Sequence, residues 1–310
     1  MRSKNILEAI GHTPMVEIAL MSPKPSVHIF AKLEGHNPTG SVKDRIVKYM
    51  LEQAEDSGQL TKDRILLEAT SGNTGIALAM IGRRKGYRVK VVLPENVSPE
   101  RMSLLRLYGA EVVTSPAANS TDGAIEIAQQ LARDESYFMP FQYGNPANPL
   151  AHYETTGVEI LEDLPEVDVF VAGLGTGGTL MGVGRRLKEH RRDIKIIAAA
   201  PHPGDLIQGL RSLENGFIPP VLDISRLDGR ILVDSRQAFS TTKELTEKEG
   251  IFAGISSGAV VSCAIRLAQR MERGNIVCLL ADGGWKYLST ELWTKDIAEL
   301  GPDIERQIWW

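Results

Sequence analysis

The sequence is short of cysteine, of surplus positive charge and of long apolar runs, and each shortage closes off a class of function. Two cysteines occur in 310 residues, Cys263 and Cys278, in apolar segments and at no metal-ligand spacing. They read as buried free thiols, so neither a disulfide framework nor a metal centre is expected, and a reducing compartment fits. A formal net charge of −4 supplies no bulk field for nucleic acid or an anionic membrane. The longest apolar runs, such as IALAMI at 76–81, fall far short of the roughly 20 residues that a membrane span needs. The opening residues, MRSKNILEAIGHTP, contain no apolar core of a secretion signal, and a cytoplasmic protein is expected. No internal repeat or low-complexity tract interrupts the chain.

What is present is a globular composition, 43% hydrophobic and 24% charged, at a length that suits two domains. Short apolar strands are expected at 27–34, 65–70, 88–94, 111–115, 168–173, 193–201 and 275–282, with helical patterns between them. Ser41 is the expected cap of a helix that closes at Gly58, and Ser98-Pro99 the expected start of another. Continuous apolar strands alternating with helices predict an α/β fold of two domains, each a mostly parallel twisted sheet covered by helices. A boundary is expected near residue 148, in the Pro- and Asn-rich GNPANPL. The irregular stretch 201–230 is too long for an ordinary connection, so it is functional or hides short elements.

Three strand–turn–helix junctions carry chemistry. VFVAGLGTGGTLMG (169–182) aims backbone N–H groups at a helix N-terminus, where an anion is favoured. Gly173, Gly175 and Gly178 match the dinucleotide pattern G-x-G-x-x-G. The next strand, however, ends in IIAAAP, without the acidic residue that a ribose requires. Thr176 and Thr179 add hydroxyls that suit a terminal phosphate. EATSGNTG (68–75) repeats the arrangement with Asn73, whose amide both donates and accepts, and suits a carboxylate-sized anion. GISSGA (254–259) opens a third helix with Ser256 and Ser257, and capping alone accounts for one of the two. Each junction also has a plain structural reading as a tight turn or a cap. Their coexistence with Lys43, placed after a turn in HNPTGSVKDR (36–45), points to pyridoxal phosphate. That cofactor has one phosphate, an aldehyde that condenses with lysine and an electron-accepting ring.

NPTGSVKDR, TSGNTGIALA, GTGGT and GISSGA, in this order, resemble the fold-type II pyridoxal-phosphate enzymes. Within them they are most similar to the B-type branch of the cysteine synthase (O-acetylserine sulfhydrylase) group. HTPMV, FQYGNPANP and GWKYLST extend the resemblance over nearly the whole chain. The resemblance implies that Lys43 is the Schiff-base lysine and the general base. It implies that Asn73 meets the ring hydroxyl, that Gly175, Thr176, Gly177, Gly178 and Thr179 hold the phosphate, and that Ser256 meets the pyridine nitrogen. Thr70, Ser71, Gly72, Thr74 and Gln142 would bind the substrate carboxylate. Residues 35–148 would form a smaller movable domain, with 1–34 and 149–310 as the larger one. The implied reaction is β-replacement on O-phosphoserine or O-acetylserine through an aminoacrylate intermediate. The sulfur nucleophile would be sulfide, thiosulfate or a carrier-protein thiocarboxylate, giving cysteine or S-sulfocysteine.

Arg211, in QGLRSLENGF (208–217), would bind the phosphate of O-phosphoserine; the competing reading is a surface arginine paired with Glu214. The terminal ERQIWW would pack on the body or on a partner subunit, or fold into the cleft as in O-phosphoserine-using relatives. A homodimer and a small sulfur-carrier partner are further implications of the resemblance. The rival readings are a cystathionine β-synthase-like enzyme and a catalytically silent binding protein of the same fold.

Overall fold

The computed structural model describes residues 2–70 and 72–295. Two sheets organise them. The larger has six strands in the order β1-β2-β10-β7-β8-β9, where β1 is Met15–Glu17, β2 Val27–Leu33, β7 Val169–Gly173, β8 Lys195–Pro201, β9 Gly229–Val233 and β10 Gly274–Leu280. The smaller has four in the order β5-β4-β3-β6, where β3 is Ile65–Ala69, β4 Arg88–Pro94, β5 Glu111–Ser115 and β6 Tyr137–Phe138. Among the strands of the described residues, the edge pair β1–β2 is antiparallel and the other strand pairings are parallel.

Parallel sheets bury both faces, which is why these strands read as unbroken apolar runs rather than alternations. In β10, Ile276, Cys278 and Leu280 enter the core beneath α8 (Ser235–Glu249) and α9 (Ile255–Ala268). Val277 and Leu279 enter the opposite core, beneath α6 (Thr156–Asp163) and α7 (Gly178–His190). The smaller sheet is covered by α1 (Lys43–Asp56) and α2 (Asn73–Lys85) on one face and by α4 (Ser120–Leu131) on the other, with α3 (Pro99–Leu107) joining β4 to β5. Cys263 and Cys278 are buried free thiols, and burial pushes both thiols up.

Residue 148, near the expected boundary, lies inside a helix, α5 (Ala147–Glu154), which packs against α1 and α7. Its prolines are tolerated because Pro146 precedes the helix and Pro149 sits in its first turn. Ser41 is not the cap of α1; Val42 holds that position, and Ser41 instead forms a lone β-bridge with Asp282. Ser98 does precede α3, but its hydroxyl donates to the Lys286 carbonyl rather than capping the helix. The irregular stretch 201–230 contains two 3-10 turns, Leu213–Asn215 and Ile224–Arg226, and runs into β9.

Both sheets have a switch point. In the larger, the chain leaves β7 toward β8 on one side and later returns to β10 on the other. In the smaller, β3 leads to β4 on one side, and β6 returns on the other. Ligands of open α/β sheets bind at the carboxyl ends of strands at such points.

Candidate active site

Four helices turn their N-termini to one cavity at these switch points. Lys43 is the first residue of α1; Asn73 and Thr74 open α2; Gly177 and Thr179 flank the start of α7; Ser256 lies in the first turn of α9. All line the cavity. None of the four helices is capped by the side chain of its N-cap residue. Free N–H groups and aligned dipoles make such a place attractive to anions.

The backbone N–H of Lys43 donates to Ser41 Oγ at 3.4 Å, while its amine enters this positive environment with no hydrogen bond or ion pair to another described residue. Burial lowers its pKa, and the negative charges of Asp282 and Glu34 only partly oppose the shift. Burial thus shifts this amine toward its neutral, nucleophilic form. The loop before it is held by Asp44, which accepts from the Thr39 backbone N–H at 2.7 Å and from the Thr39 hydroxyl. Burial raises the Asp44 carboxyl to about 6.

The glycine loop after β7 is shaped by close backbone approach. A Cβ on Gly175 would lie 2.9 Å from the Gly209 carbonyl, and one on Gly178 would lie 2.0 Å from Asn148 Oδ1. Gly177 has φ +87°, the left-handed region that glycine occupies without strain. Gly175, Thr176, Gly177 and Thr179 line the cavity, whereas Gly178 packs against Asn148 behind it. Asn148 Nδ2 donates to Thr176 Oγ1 at 3.1 Å and to the Gln142 carbonyl at 2.8 Å. One side chain thus joins the glycine loop to the smaller sheet.

The loop after β3 meets the segment after β6. Thr74 Oγ1 donates to Gln142 Oε1 at 2.7 Å, and Gln142 Nε2 donates to the Ala69 carbonyl at 3.2 Å. Thr74 and Gln142 line the cavity. Thr70 and Gly72 shape the loop from behind: Thr70 Oγ1 accepts from the N–H groups of Gly72 and Gly75 at 2.9 and 3.3 Å. Ser71 lies outside the described residues, as do the ERQIWW residues. Arg211 lines the cavity, its guanidinium 3.2 Å from Asp122 Oδ1 and over the rings of Tyr143 and Phe217. Its acidic partner is therefore Asp122; Glu214 pairs with Arg230.

Several functional neighbours escaped the sequence reading. Asp282, just past β10, accepts from Asn73 Nδ2 at 2.7 Å and from Tyr287 OH at 2.5 Å. Lys286 is fully buried and donates to Asn73 Oδ1 at 2.7 Å. His152 of α5 meets Thr179 Oγ1 at 3.1 Å and Thr156 Oγ1 at 3.0 Å, and burial holds its pKa well below the usual imidazole range. Glu68, buried at the end of β3, accepts from the Gln142 and Ala69 N–H groups at 3.1 Å each. Burial pushes its carboxyl up to about 8. All four are common polar residues whose importance comes from burial, which local sequence does not display.

These features fit pyridoxal phosphate. The glycine cradle leaves no room for Cβ atoms, the helix ends favour anions, and the Lys43 amine is shifted toward its neutral form. Two switch points, four convergent helix N-termini and a lysine in the cavity define the class of a two-sheet α/β enzyme that anchors an anionic cofactor through an amine.

The chain belongs to the family described as pyridoxal-phosphate dependent enzyme, whose model matches residues 6–282. It is 41% identical over 302 residues to a cysteine synthase of Staphylococcus aureus, covering 94% of this chain and 97% of that one. Among solved structures it is similar to an O-ureido-L-serine synthase, with a TM-score of 0.90 and 38% identity, over 96% of this chain and 99% of the other. It is also similar to the cysteine synthase of Entamoeba histolytica, with a TM-score of 0.89 and 35% identity, over 99% and 96% of the two chains. Among the described residues no helix is long and apolar enough to cross a membrane.

Proposed function

We propose that the protein is a cysteine synthase that replaces the β-substituent of an O-activated serine with sulfur. The observation that carries this reading is the half-buried amine of Lys43, shifted toward its neutral form, beside two turns at helix N-termini within one cavity. When bound, pyridoxal phosphate supplies an aldehyde that condenses with amines and a ring that takes up the electrons released at the substrate Cα.

The chain's own residues do the rest. Gly175, Thr176, Gly177, Gly178 and Thr179 would hold the phosphate at the start of α7. Asn73 would meet the ring hydroxyl. Ser256 would meet the ring nitrogen with a hydroxyl, which does not protonate it as a carboxylate would; that favours prompt loss of a β-substituent. Thr74 and Gln142, with Ser71 and the backbone shaped by Thr70 and Gly72, would bind the substrate carboxylate. Lys43, once displaced from the cofactor, would take the Cα proton as general base. The smaller unit, 35–148, would close on the carboxylate and exclude water. A homodimer in the cytoplasm, with sulfide, thiosulfate or a small carrier protein as sulfur source, completes the reading.

The donor turns on Arg211. Its guanidinium already has Asp122, so a phosphorylated donor must compete with that carboxylate. Arg211→Ala is expected to lower the rate with O-phosphoserine and spare that with O-acetylserine; Asp122→Asn is expected to raise the O-phosphoserine rate selectively. Cysteine formation from each donor with sulfide checks both. Equal changes for the two donors in Arg211→Ala would remove Arg211 from donor recognition. No cysteine from either donor, with sulfide or thiosulfate, would overturn the cysteine synthase reading itself.

A further inference from the structure

Lys286 has no role in the scheme above, yet it reaches its centre. It lies in the 3-10 turn Gly284–Thr290 that follows β10. This turn clasps α3, beside the smaller sheet: Ser98 Oγ donates to the Lys286 carbonyl at 2.9 Å, and Ser289 donates to Glu100 through its backbone N–H at 2.6 Å and its hydroxyl at 3.0 Å. From that turn Lys286 Nζ donates to Asn73 Oδ1 at 2.7 Å and to the Gly40 carbonyl at 3.2 Å. Asn73 Nδ2 is thereby directed at Asp282 Oδ2, 2.7 Å away.

An asparagine amide has an accepting end and a donating end, and an unrestrained one can present either. An ammonium accepts no hydrogen bond, and a carboxylate donates none. Lys286 on one side and Asp282 on the other therefore allow a single orientation of Asn73.

We propose that Lys286 is a positioning residue of the cofactor site: through Asn73 it fixes which end of the amide serves the cofactor's ring hydroxyl, and it couples that orientation to the docking of the 284–290 turn on α3. The inference rests on the reading of Asn73 as a cofactor contact.

The burial is otherwise hard to account for. A lysine with no exposed surface costs stability unless it is compensated. Burial lowers the Lys286 amine to about 8, with Arg101 and Lys43 pushing the same way and Asp282 and Asp44 opposing. These groups lie on α1 (Lys43 and Asp44), on α3 (Arg101) and just past β10 (Asp282); Tyr287, beside Lys286 in its own turn, donates to Asp282. Without Lys286, Asn73 keeps only the Asp282 half of its restraint, and the Asp282 carboxylate loses a nearby cation. Both changes reach the cofactor, whereas a purely structural strut would reach it in neither way.

A double-mutant cycle tests this on the holoenzyme, reading the dissociation constant of pyridoxal phosphate and the visible absorbance maximum of the bound cofactor. Lys286→Met is expected to weaken cofactor binding about tenfold and to shift the absorbance maximum; in an Asn73→Ala background the same substitution is expected to change binding by less than about twofold, because residues acting through one contact are not additive. Should Lys286→Met not yield folded protein, Lys286→Leu, which also removes the donor to Asn73, replaces it under the same criterion. Unchanged binding and spectrum in the folded variant overturn the proposal, and so does an equal loss in both backgrounds. If the wild-type protein itself binds no cofactor, the reading of the whole site falls, a different result from any of these.

Discussion

Lys43→Ala is expected to lose β-replacement by about a thousandfold or more while keeping its fold, since a positioned general base alone contributes two to four orders of magnitude. The fold survives because the Lys43 side chain makes no hydrogen bond or ion pair with another described residue, and its backbone bond to Ser41 Oγ is kept by alanine. Its burial also disfavours the charged form, so an alanine there removes a cost rather than a support. The thermal midpoint of the apo-variant should therefore equal or exceed that of the apo wild type. Steady-state cysteine formation and a melting curve check the two halves separately. Turnover within tenfold of wild type would assign the base to another group.

Gly178→Ala is the second large effect. It places a methyl group 2.0 Å from Asn148 Oδ1 and 2.5 Å from Asn148 Cγ, so one side must move. Asn148 cannot withdraw freely, because its amide holds both Thr176 and the Gln142 carbonyl. Overpacking of a close-packed interior costs about 1–3 kcal/mol; expressed in the loop proposed to hold the phosphate, this corresponds to roughly a 10- to 100-fold loss of cofactor affinity. Titration of the apo-variant with pyridoxal phosphate measures it. Gly58→Ala is the control: open space surrounds this glycine, and it lies past the end of α1 remote from the cavity, so cofactor affinity should not change. Wild-type affinity in Gly178→Ala would show that the α7 N-terminus does not hold the phosphate.

Much of the site was legible because its geometry is local. A glycine-rich turn between an apolar strand and a helix declares an anion site wherever it occurs, and a few consecutive residues specify it. Lys43, Asn73, Thr176 and Ser256 were all found this way, and all line one cavity. What local sequence cannot declare is burial. Lys286 stands 213 positions from the asparagine it holds, and nothing in GWKYLST distinguishes it from a solvated lysine. Glu68 reads as one more charged residue until β6 closes over it on the far side of β3. The Asn- and Pro-rich residues near 148 read as a linker because proline usually breaks helices; here the prolines fall before the helix and in its first turn, where the missing N–H has no intrahelical partner to lose. β9 was hidden for a related reason, since its five residues lie at the end of a long irregular stretch and pair with only one neighbour, β8.

Two amines, the half-buried Lys43 and the buried Lys286, lie in one electrostatic cluster around Asp282, and desolvation pushes both toward the neutral form. The account gives them different tasks: one is joined to the cofactor, the other holds Asn73. Borohydride reduction of the purified holoenzyme, followed by peptide mapping, separates them directly. The pyridoxyl group is expected on Lys43 alone. A label on Lys286, or no label on a protein that has taken up the cofactor, would contradict the account.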